Sequence, residues 1–200
     1  MAAPGPAADS LRHRWTVGLR YAGEPNFYGF GKFLPTVGYQ WRPRWEVEVG
    51  GAYRNNRYEG SATGFTVDGK QLDYQYHGQT RWTVVPVRVR YTLTRRAERR
   101  LQFDALGGVA LSFGRNSWEQ IELENAVETY RYQAQARSFY GLVGLGLGGR
   151  YGLGPSRRLE LAAEWTLHQQ LVHRFRPDYG TNRSRFGPVG YWGLGLRYKL

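Results

Sequence analysis

The residues best suited to hydrolytic chemistry fall close together in the sequence. Glu164, His168 and His173 are near neighbours, and Ser138 is expected at a similar level on an adjacent strand. Nucleophilic hydrolysis needs a hydroxyl group activated by a histidine that an acid orients. However, no His-x-Ser arrangement occurs, and histidine at the end of a strand is commonly a surface residue. We therefore assign no catalytic residue and predict that the chain is not an enzyme.

The spacing of the potential ligand residues does not indicate a metal or cofactor site. The chain has no cysteine, and its four histidines, His13, His77, His168 and His173, are scattered without the paired spacing of metal ligands. We expect neither a metal nor a cofactor.

The chain is strongly basic, with a formal net charge of +12. Such a charge suits nucleic acid, anionic lipid or lipopolysaccharide as a partner. No basic stripe accompanies a nucleic-acid-binding motif, so nucleic acid is not expected. Guanidinium groups in the predicted loops could bind the phosphates of lipopolysaccharide or an acidic partner. The basic residues of these loops are Arg54, Arg57, Lys70, Arg115, Arg131, Arg174, Arg176, Arg183 and Arg185.

Apolar and polar residues alternate with a period of two, which is typical of β-strands and not of helices. The alternating segments are residues 14–21, 36–41, 45–50, 85–93, 101–113, 139–151, 159–168 and 192–200. No apolar run reaches the roughly 18 residues that a membrane-spanning helix needs. The sequence therefore predicts an all-β fold of eight strands.

The connections between these segments alternate strictly in length. Three are short: 42–44, 95–100 and 154–157. Four are long: 22–32, 54–81, 114–137 and 169–188. Outer-membrane barrels combine tight periplasmic turns with longer extracellular loops. We predict an eight-stranded antiparallel up-and-down transmembrane β-barrel, with both termini on the side of the short turns.

The polar faces of the strands carry charges of both signs. An eight-stranded barrel has an interior just wide enough for side chains, and a lone buried charge is very costly. We therefore expect these charges to pair in the lumen. The candidates for lumen ion pairs are Arg20, Glu46, Glu48, Arg88, Arg90, Asp104, Glu160, Glu164 and Arg197, and Arg150 shares their face.

Aromatic residues fall near both ends of the predicted strands, on the apolar face. Amphipathic rings prefer the headgroup level of a membrane, so two aromatic belts are expected of a membrane barrel. The predicted membrane-interface aromatics are Trp15, Trp41, Trp45, Tyr91, Phe103, Tyr151, Trp192 and Tyr198.

The last strand, Trp192 to Leu200, is the best local match to a known family. With the pattern as a whole, over about residues 14–200, it resembles the small eight-stranded outer-membrane proteins of the A and X types. In that family an alternating C-terminal strand is read by the barrel-assembly machinery and usually closes with Phe or Trp, whereas this chain closes with Leu200. The resemblance implies the bacterial outer membrane as the location.

We interpret the chain as a structural or interaction barrel that works through extracellular hairpins. Its expected partners are outer-membrane lipid, including lipopolysaccharide, and the assembly machinery, and we expect a monomer. The alternatives are a narrow channel, a lipid-modifying enzyme and a soluble carrier of the lipocalin type. The lipocalin type shares the topology but would bury the apolar face.

Three local features complete the predictions. Residues 1–13 contain no signal peptide as written and are expected to be a flexible segment before a single barrel domain of residues 14–200. Asp68-Gly69 indicates a type I′ turn between extended hairpin strands. Pro86, with the broken alternation of residues 82–85, indicates a β-bulge, which leaves the facing of the upstream residues open.

Overall fold

The computed structural model describes residues 14–23, 32–95, 99–124, 127–177 and 188–200. The predicted N-terminal segment, residues 1–13, lies outside the described residues. The strands are β1 (Trp15–Gly23), β2 (Lys32–Arg42), β3 (Trp45–Gly50), β4 (Ala52–Phe65), β5 (Gln71–Thr92), β6 (Leu101–Glu124), β7 (Val127–Leu153), β8 (Leu159–Pro177) and β9 (Val189–Lys199).

All strands belong to one antiparallel sheet that closes on itself. The order is β3-β2-β1-β9-β8-β7-β6-β5-β4, and β3 also pairs with β5. Because β3 and β4 are separated only at Gly51 and both pair with β5, they form one barrel strand. The predicted eight-stranded antiparallel barrel is therefore confirmed. The described residues include no helix with the length and apolar character to cross a membrane.

Along the barrel strands, most apolar side chains face outward and are exposed, whereas the polar side chains that alternate with them face inward. On β8, Glu160, Ala162 and Glu164 are buried, whereas Leu161, Trp165 and Leu167 are exposed. The largest fully buried side chains of the described residues are those of Arg197 and Asp104, while the side chain of Trp165 is 54% exposed. A water-soluble barrel would have the opposite arrangement, so the apolar face suits a lipid environment.

The predicted β-bulge at Pro86 is wrong. The pairing of β5 with β6 runs without a shift from Leu72 to Thr92, so Trp82 and Val84 face inward with Pro86. These apolar inward residues caused the apparent break in the alternation. The irregularity lies in the neighbouring strand, where Gly51 separates β3 from β4 opposite this point. Since proline has no N–H to donate, the interrupted neighbour accommodates it.

Four strands continue beyond the barrel as an extended sheet. The register pairs β4 with β5 up to Phe65, and pairs β6 with β7 up to Glu124. A strand of 24 residues such as β6 is more than twice the 9–11 residues that a tilted strand needs to cross a bilayer. The predicted hairpin extensions are therefore present. Within the described residues, the extended part of β4 pairs with β5 alone.

The turn between β4 and β5 is not of type I′. That type needs positive φ at both central residues, and among residues 66–70 only Gly69 has a positive φ, of 78°. The amide of Gly69 donates to the carbonyl of Thr66 at 2.9 Å. The loop is thus of the three-residue kind, in which glycine takes the left-handed position after the turn.

Candidate functional site

The lumen holds a continuous network of ion pairs, whose lowest layer surrounds Arg197 on β9. Its guanidinium group donates to Glu46 on β3 and, over 3.2 Å, to Oε2 of Glu160 on β8. The hydroxyl group of Thr16 donates to Glu46 over 2.6 Å. Lys199 adds an ion pair of 2.6 Å to Glu160. This layer ties β1 and β3 to β8 and β9 across the barrel.

The middle layer is centred on Asp104 of β6, whose side chain is fully buried. Its Oδ2 accepts from Arg90 Nη1 over 2.7 Å and from Arg150 Nε over 2.6 Å. Arg150 Nη2 also reaches Oδ1 over 2.7 Å, so the pair is bidentate. Such paired geometry compensates for the desolvation of a buried carboxylate.

The upper layer joins Arg20 and Arg88 to Glu48 and Glu164. Arg88 donates to Glu48 over 2.7 Å and to Glu164 over 2.8 Å. Arg20 pairs with Glu48 and lies 2.9 Å from Glu164. Arg90 donates to Glu164 from the layer below. Contacts between arginines and carboxylates therefore connect the layers as well as the strands.

The structure brings together all nine predicted lumen residues and Arg150. The register explains part of this, since it sets Glu46 opposite Arg90, Glu48 opposite Arg88 and Glu160 opposite Arg197. Sequence analysis missed Lys199 and Thr16, although each lies on the inward parity of its strand. Lys199 and Thr16 could have been predicted as lumen residues because they alternate with outward-facing residues in the sequence.

Above the network the lumen is apolar. A cavity of about 160 Å³ is lined by Leu34, Val84, Ala110 and Leu142, with Arg20, Arg88 and Glu164 at its polar end. The rings of Trp82 and Tyr140 also line it, with centroids 5.7 Å apart. Cavities of this size hold at most a small molecule. Among the described residues, ion pairs therefore fill the lower part of the lumen and this cavity lies above them.

Ser138, His168 and Glu164, three of the residues that suggested hydrolysis, do not come together, and the side chain of His173 lies outside the described residues. The backbone of Ser138 is paired with Phe175, whereas that of His168 is paired with Gly144. Gly144 lies six positions beyond Ser138 on β7, which is about 20 Å along a strand. Glu164 is committed to arginines, and the described residues include no cluster of three metal-ligating side chains.

The outer face carries aromatic clusters at two levels. At the short-turn end, the centroids of Trp15 and Tyr39 are 4.9 Å apart and those of Trp45 and Tyr91 are 4.7 Å apart. Trp41 stacks on Trp45 at 6.1 Å. Phe103, Tyr151 and Tyr198 are exposed at the same end of the barrel.

The second aromatic level lies at the long-loop end of the barrel. It includes Tyr21, which contacts Phe33 and Trp192, and the pair Phe113–Phe139, whose centroids are 5.2 Å apart. The structure thus positions the predicted interface aromatics at two ends of an apolar band.

The extended sheet beyond the barrel has its own ion pairs, which are exposed to solvent. Arg131 lies 2.7 Å from Oε1 of Glu119 and 2.7 Å from Oε2 of Glu128. A hydrogen bond from Gln133, and then the charge of Arg131, lower the pKa of Glu119. The pKa of Glu128 is lowered chiefly by its hydrogen bond from Arg131.

Comparison with known proteins identifies the fold. No protein-family model and no curated protein sequence matches the chain. A major outer membrane protein from Thermus thermophilus has a similar structure, with a TM-score of 0.52, 13% identity, and coverage of 94% of this chain and 100% of that protein.

Two further solved structures were compared. Ail, the attachment invasion locus protein of Yersinia pestis, gives a TM-score of 0.42 at 13% identity, covering 94% of this chain and 99% of its own. Neisserial surface protein A gives 0.41 at 13% identity, covering 94% and 95%. Of these structures, the Thermus protein has a TM-score above 0.5, and its similarity confirms the predicted resemblance at the level of the fold. The chain has the fold of a small transmembrane β-barrel of the outer-membrane type.

Proposed function

We propose that this protein is a non-conducting barrel of the bacterial outer membrane that acts as a structural or interaction protein through its extracellular sheet. The observation that carries the proposal is the contrast along β5, β6 and β7. Within the barrel their inward side chains fill the lumen with ion pairs, and beyond it the same strands continue as an extended sheet. The part of the molecule available to a partner is therefore the sheet.

The outward apolar band and its two aromatic levels support the placement in a membrane. The short turns would then face the periplasm and the extended hairpins the outside. The alternating last strand, Trp192 to Leu200, is suited to recognition by the barrel-assembly machinery. The outer face would contact outer-membrane lipid, including lipopolysaccharide, and a closed barrel has no unpaired edge in the membrane that would require a second copy. We do not propose an enzymatic role.

Orientation can be tested by single cysteines because the chain has none of its own. Thr63→Cys places a thiol on the extracellular sheet, and Ser156→Cys places one on a short turn. In intact cells, we expect a membrane-impermeant maleimide to label Thr63→Cys and to leave Ser156→Cys unlabelled until the cells are broken. Labelling of Ser156→Cys alone would overturn the proposed orientation. Absence of both proteins from the outer-membrane fraction would overturn the location.

The narrow channel is a separate candidate that the ion-pair network disfavours. Because Arg90 links the carboxylates of Asp104 and Glu164 across the lumen, an ion would have to break paired charges to pass. We expect no discrete conductance steps from the refolded protein in planar bilayers. The variant Arg90→Ser/Glu164→Ser removes one charge of each sign and serves as the opened control. Steps from the unaltered protein would restore the channel as the function.

A further inference from the structure

Three arginines form a row on the outer face of the barrel wall where the strands leave the predicted membrane. Arg81 on β5 is paired directly with Arg115 on β6, and Arg115 is paired directly with Arg137 on β7. All three side chains are exposed. We call Arg81, Arg115 and Arg137 the basic row.

The basic row lies just beyond the upper aromatic level. Phe113 and Phe139 are a cross-strand pair on the same outward face, and Arg115 and Arg137 follow two residues further out. Two residues correspond to about 7 Å along a strand. If aromatic rings mark the edge of the apolar region, the guanidinium groups lie at the level of lipid headgroups. Arg174, exposed and paired with Phe139, adds a fourth charge at the edge of the same region.

Nothing in the described part of the chain balances the charge of the basic row. Directly opposed like charges on neighbouring strands destabilise a sheet. The hydrogen bonds of Arg81 and Arg115 go to side-chain amides, over 2.9 Å to Gln79 and 3.1 Å to Gln135. These neutral groups orient the guanidinium groups without neutralising them. The arrangement therefore favours an external anion that touches adjacent arginines together.

We propose that the basic row binds the phosphate groups of a phosphorylated glycolipid of the outer leaflet, of the lipopolysaccharide class. Planar guanidinium groups bind phosphate oxygens in a bidentate manner. The acyl chains of the same lipid would lie against the apolar band below, next to the ring pair Phe113–Phe139. This inference rests on the proposed location in the outer membrane and names the lipid that the outer face selects there.

The test is a titration of diphosphoryl lipid A into the refolded protein in a neutral maltoside detergent, followed by native mass spectrometry. Each arginine near an anionic lipid contributes about a fivefold gain in affinity, so Arg81→Gln/Arg115→Gln/Arg137→Gln should bind on the order of 100-fold more weakly. The matched control is Arg42→Gln/Arg44→Gln/Arg158→Gln, which removes the same charge from exposed residues near the short turns. We expect the control to bind within about threefold of the unaltered protein.

The outcomes separate the basic row from general attraction. An equal loss in both triple variants, or no loss in either, overturns the inference. Inorganic tripolyphosphate that binds as tightly as lipid A would also overturn it, because the ligand would then be a soluble anion. Before lipid is added, the folded barrel is verified by its heat-modifiable mobility on a gel. Failure to form that band contradicts the proposed function, whereas a heat-modifiable barrel without lipid A preference contradicts this inference alone.

A second readout distinguishes binding from a merely structural role. Arg115 has a like charge on each side. In detergent without phosphate, Arg115→Gln should raise the midpoint of thermal unfolding because it relieves repulsion. With lipid A present the same substitution should lower the midpoint relative to the unaltered protein, because ligand binding stabilises the folded state. The same direction in both conditions would contradict the proposal.

Discussion

The arginines inside the barrel and those of the basic row occupy the same strands but have opposite surroundings. Arg90 on β5 is buried and contacts the carboxylates of Asp104 and Glu164. Arg81, nine residues earlier on the same strand, is exposed and bonds an amide. Inside, the protein must supply every counter-ion because water is excluded. Outside, the surroundings can supply it.

The difference teaches how to interpret charge in such a chain. In the described part of the lumen, five arginines and Lys199 meet five acidic residues, and this pairing of opposite charges is needed for a stable interior. An unbalanced group on the outer face has no such need, so its single sign of charge indicates what it contacts. Equivalent substitutions in the lumen and in the basic row provide the most direct test of this interpretation.

The largest effect is expected from Arg90→Gln. This substitution leaves Asp104 and Glu164 with one buried partner fewer, and an uncompensated buried charge costs about 3–5 kcal/mol in the free energy of unfolding. Arg115→Gln, in neutral detergent, should instead raise that free energy slightly. Urea unfolding followed by tryptophan fluorescence measures both.

The double variant Arg90→Gln/Glu164→Gln is the control for this prediction. It restores the balance of charge, so it should be more stable than Arg90→Gln alone. A loss below about 1 kcal/mol for Arg90→Gln would mean that water reaches the network and compensates it.

An intermediate effect is expected from two neighbouring glycines of β6 that face opposite ways. A Cβ atom on inward Gly108 would lie 3.0 Å from Cα of Arg88, so backbone would have to move. We expect Gly108→Ala to cost about 1–3 kcal/mol of folding stability, as overpacking does. Among the described residues, a Cβ atom on outward Gly107 would meet Leu145 Cδ2 alone, at 3.5 Å.

Gly107→Ala is therefore the matched control and should leave the urea midpoint nearly unchanged. This pair sharpens the comparison because it tests filling of the interior without altering charge. Equal midpoints for the two variants would show that the inner wall has free space beside Arg88.

The smallest effect concerns the exposed ion pairs of the extended sheet. The pKa values of Glu119 and Glu128 are lowered below the ordinary carboxyl value of 4.5. Groups whose pKa is depressed in the folded state stabilise it above the unfolded pKa, and this contribution is lost as the pH falls through the folded pKa. A carbon NMR titration of the glutamate carboxyl groups measures the shifts.

The causes of the two shifts differ, which supplies the control. Gln133→Ala should raise the pKa of Glu119 and leave Glu128 unchanged, since a hydrogen bond from Gln133 is the main cause at Glu119 alone. Arg131→Gln should return Glu128 to its ordinary range. If Glu128 kept its lowered pKa in that variant, the contact with Arg131 would not persist in solution.

The sequence was sufficient to predict the eight strands within the barrel and the faces of their residues outside the stretch before Pro86, because the period of two follows directly from strand geometry. It did not predict how far β6, β7 and β8 continue beyond the barrel. It could not predict which charges meet. Glu48 contacts Arg20 across the lumen, and that contact depends on the stagger of the closed barrel, to which distant strands contribute. The basic row was hidden for a similar reason. That Arg81, Arg115 and Arg137 are neighbours can be recognised only from the registers of two strand pairs, β5–β6 and β6–β7.

The two local errors have separate physical causes. Alternation assumes that one face is apolar and the other polar, and this fails at Trp82 and Val84, where the upper lumen is apolar. Asp-Gly is common in two-residue turns, but the bond from Gly69 to Thr66 selects the longer loop. The facing of Trp82 and Val84 and the type of the turn both depend on contacts in the folded protein that the neighbouring residues in the sequence do not reveal.

The edge of β4 that faces away from β5 has no partner strand among the described residues, which has a consequence for how this protein shares a membrane with copies of itself. A closed barrel presents no open strand to its surroundings, but above the wall the main-chain donors and acceptors on this edge of β4 are paired with no other described strand. Such an edge can template the addition of any extended polypeptide. Arg57 and Glu59, exposed along that strand, are charged residues of the kind that discourage self-association. Within the membrane, the closed barrel wall therefore prevents strand pairing between two copies of the protein. Outside the membrane, a few charged side chains on β4 discourage it.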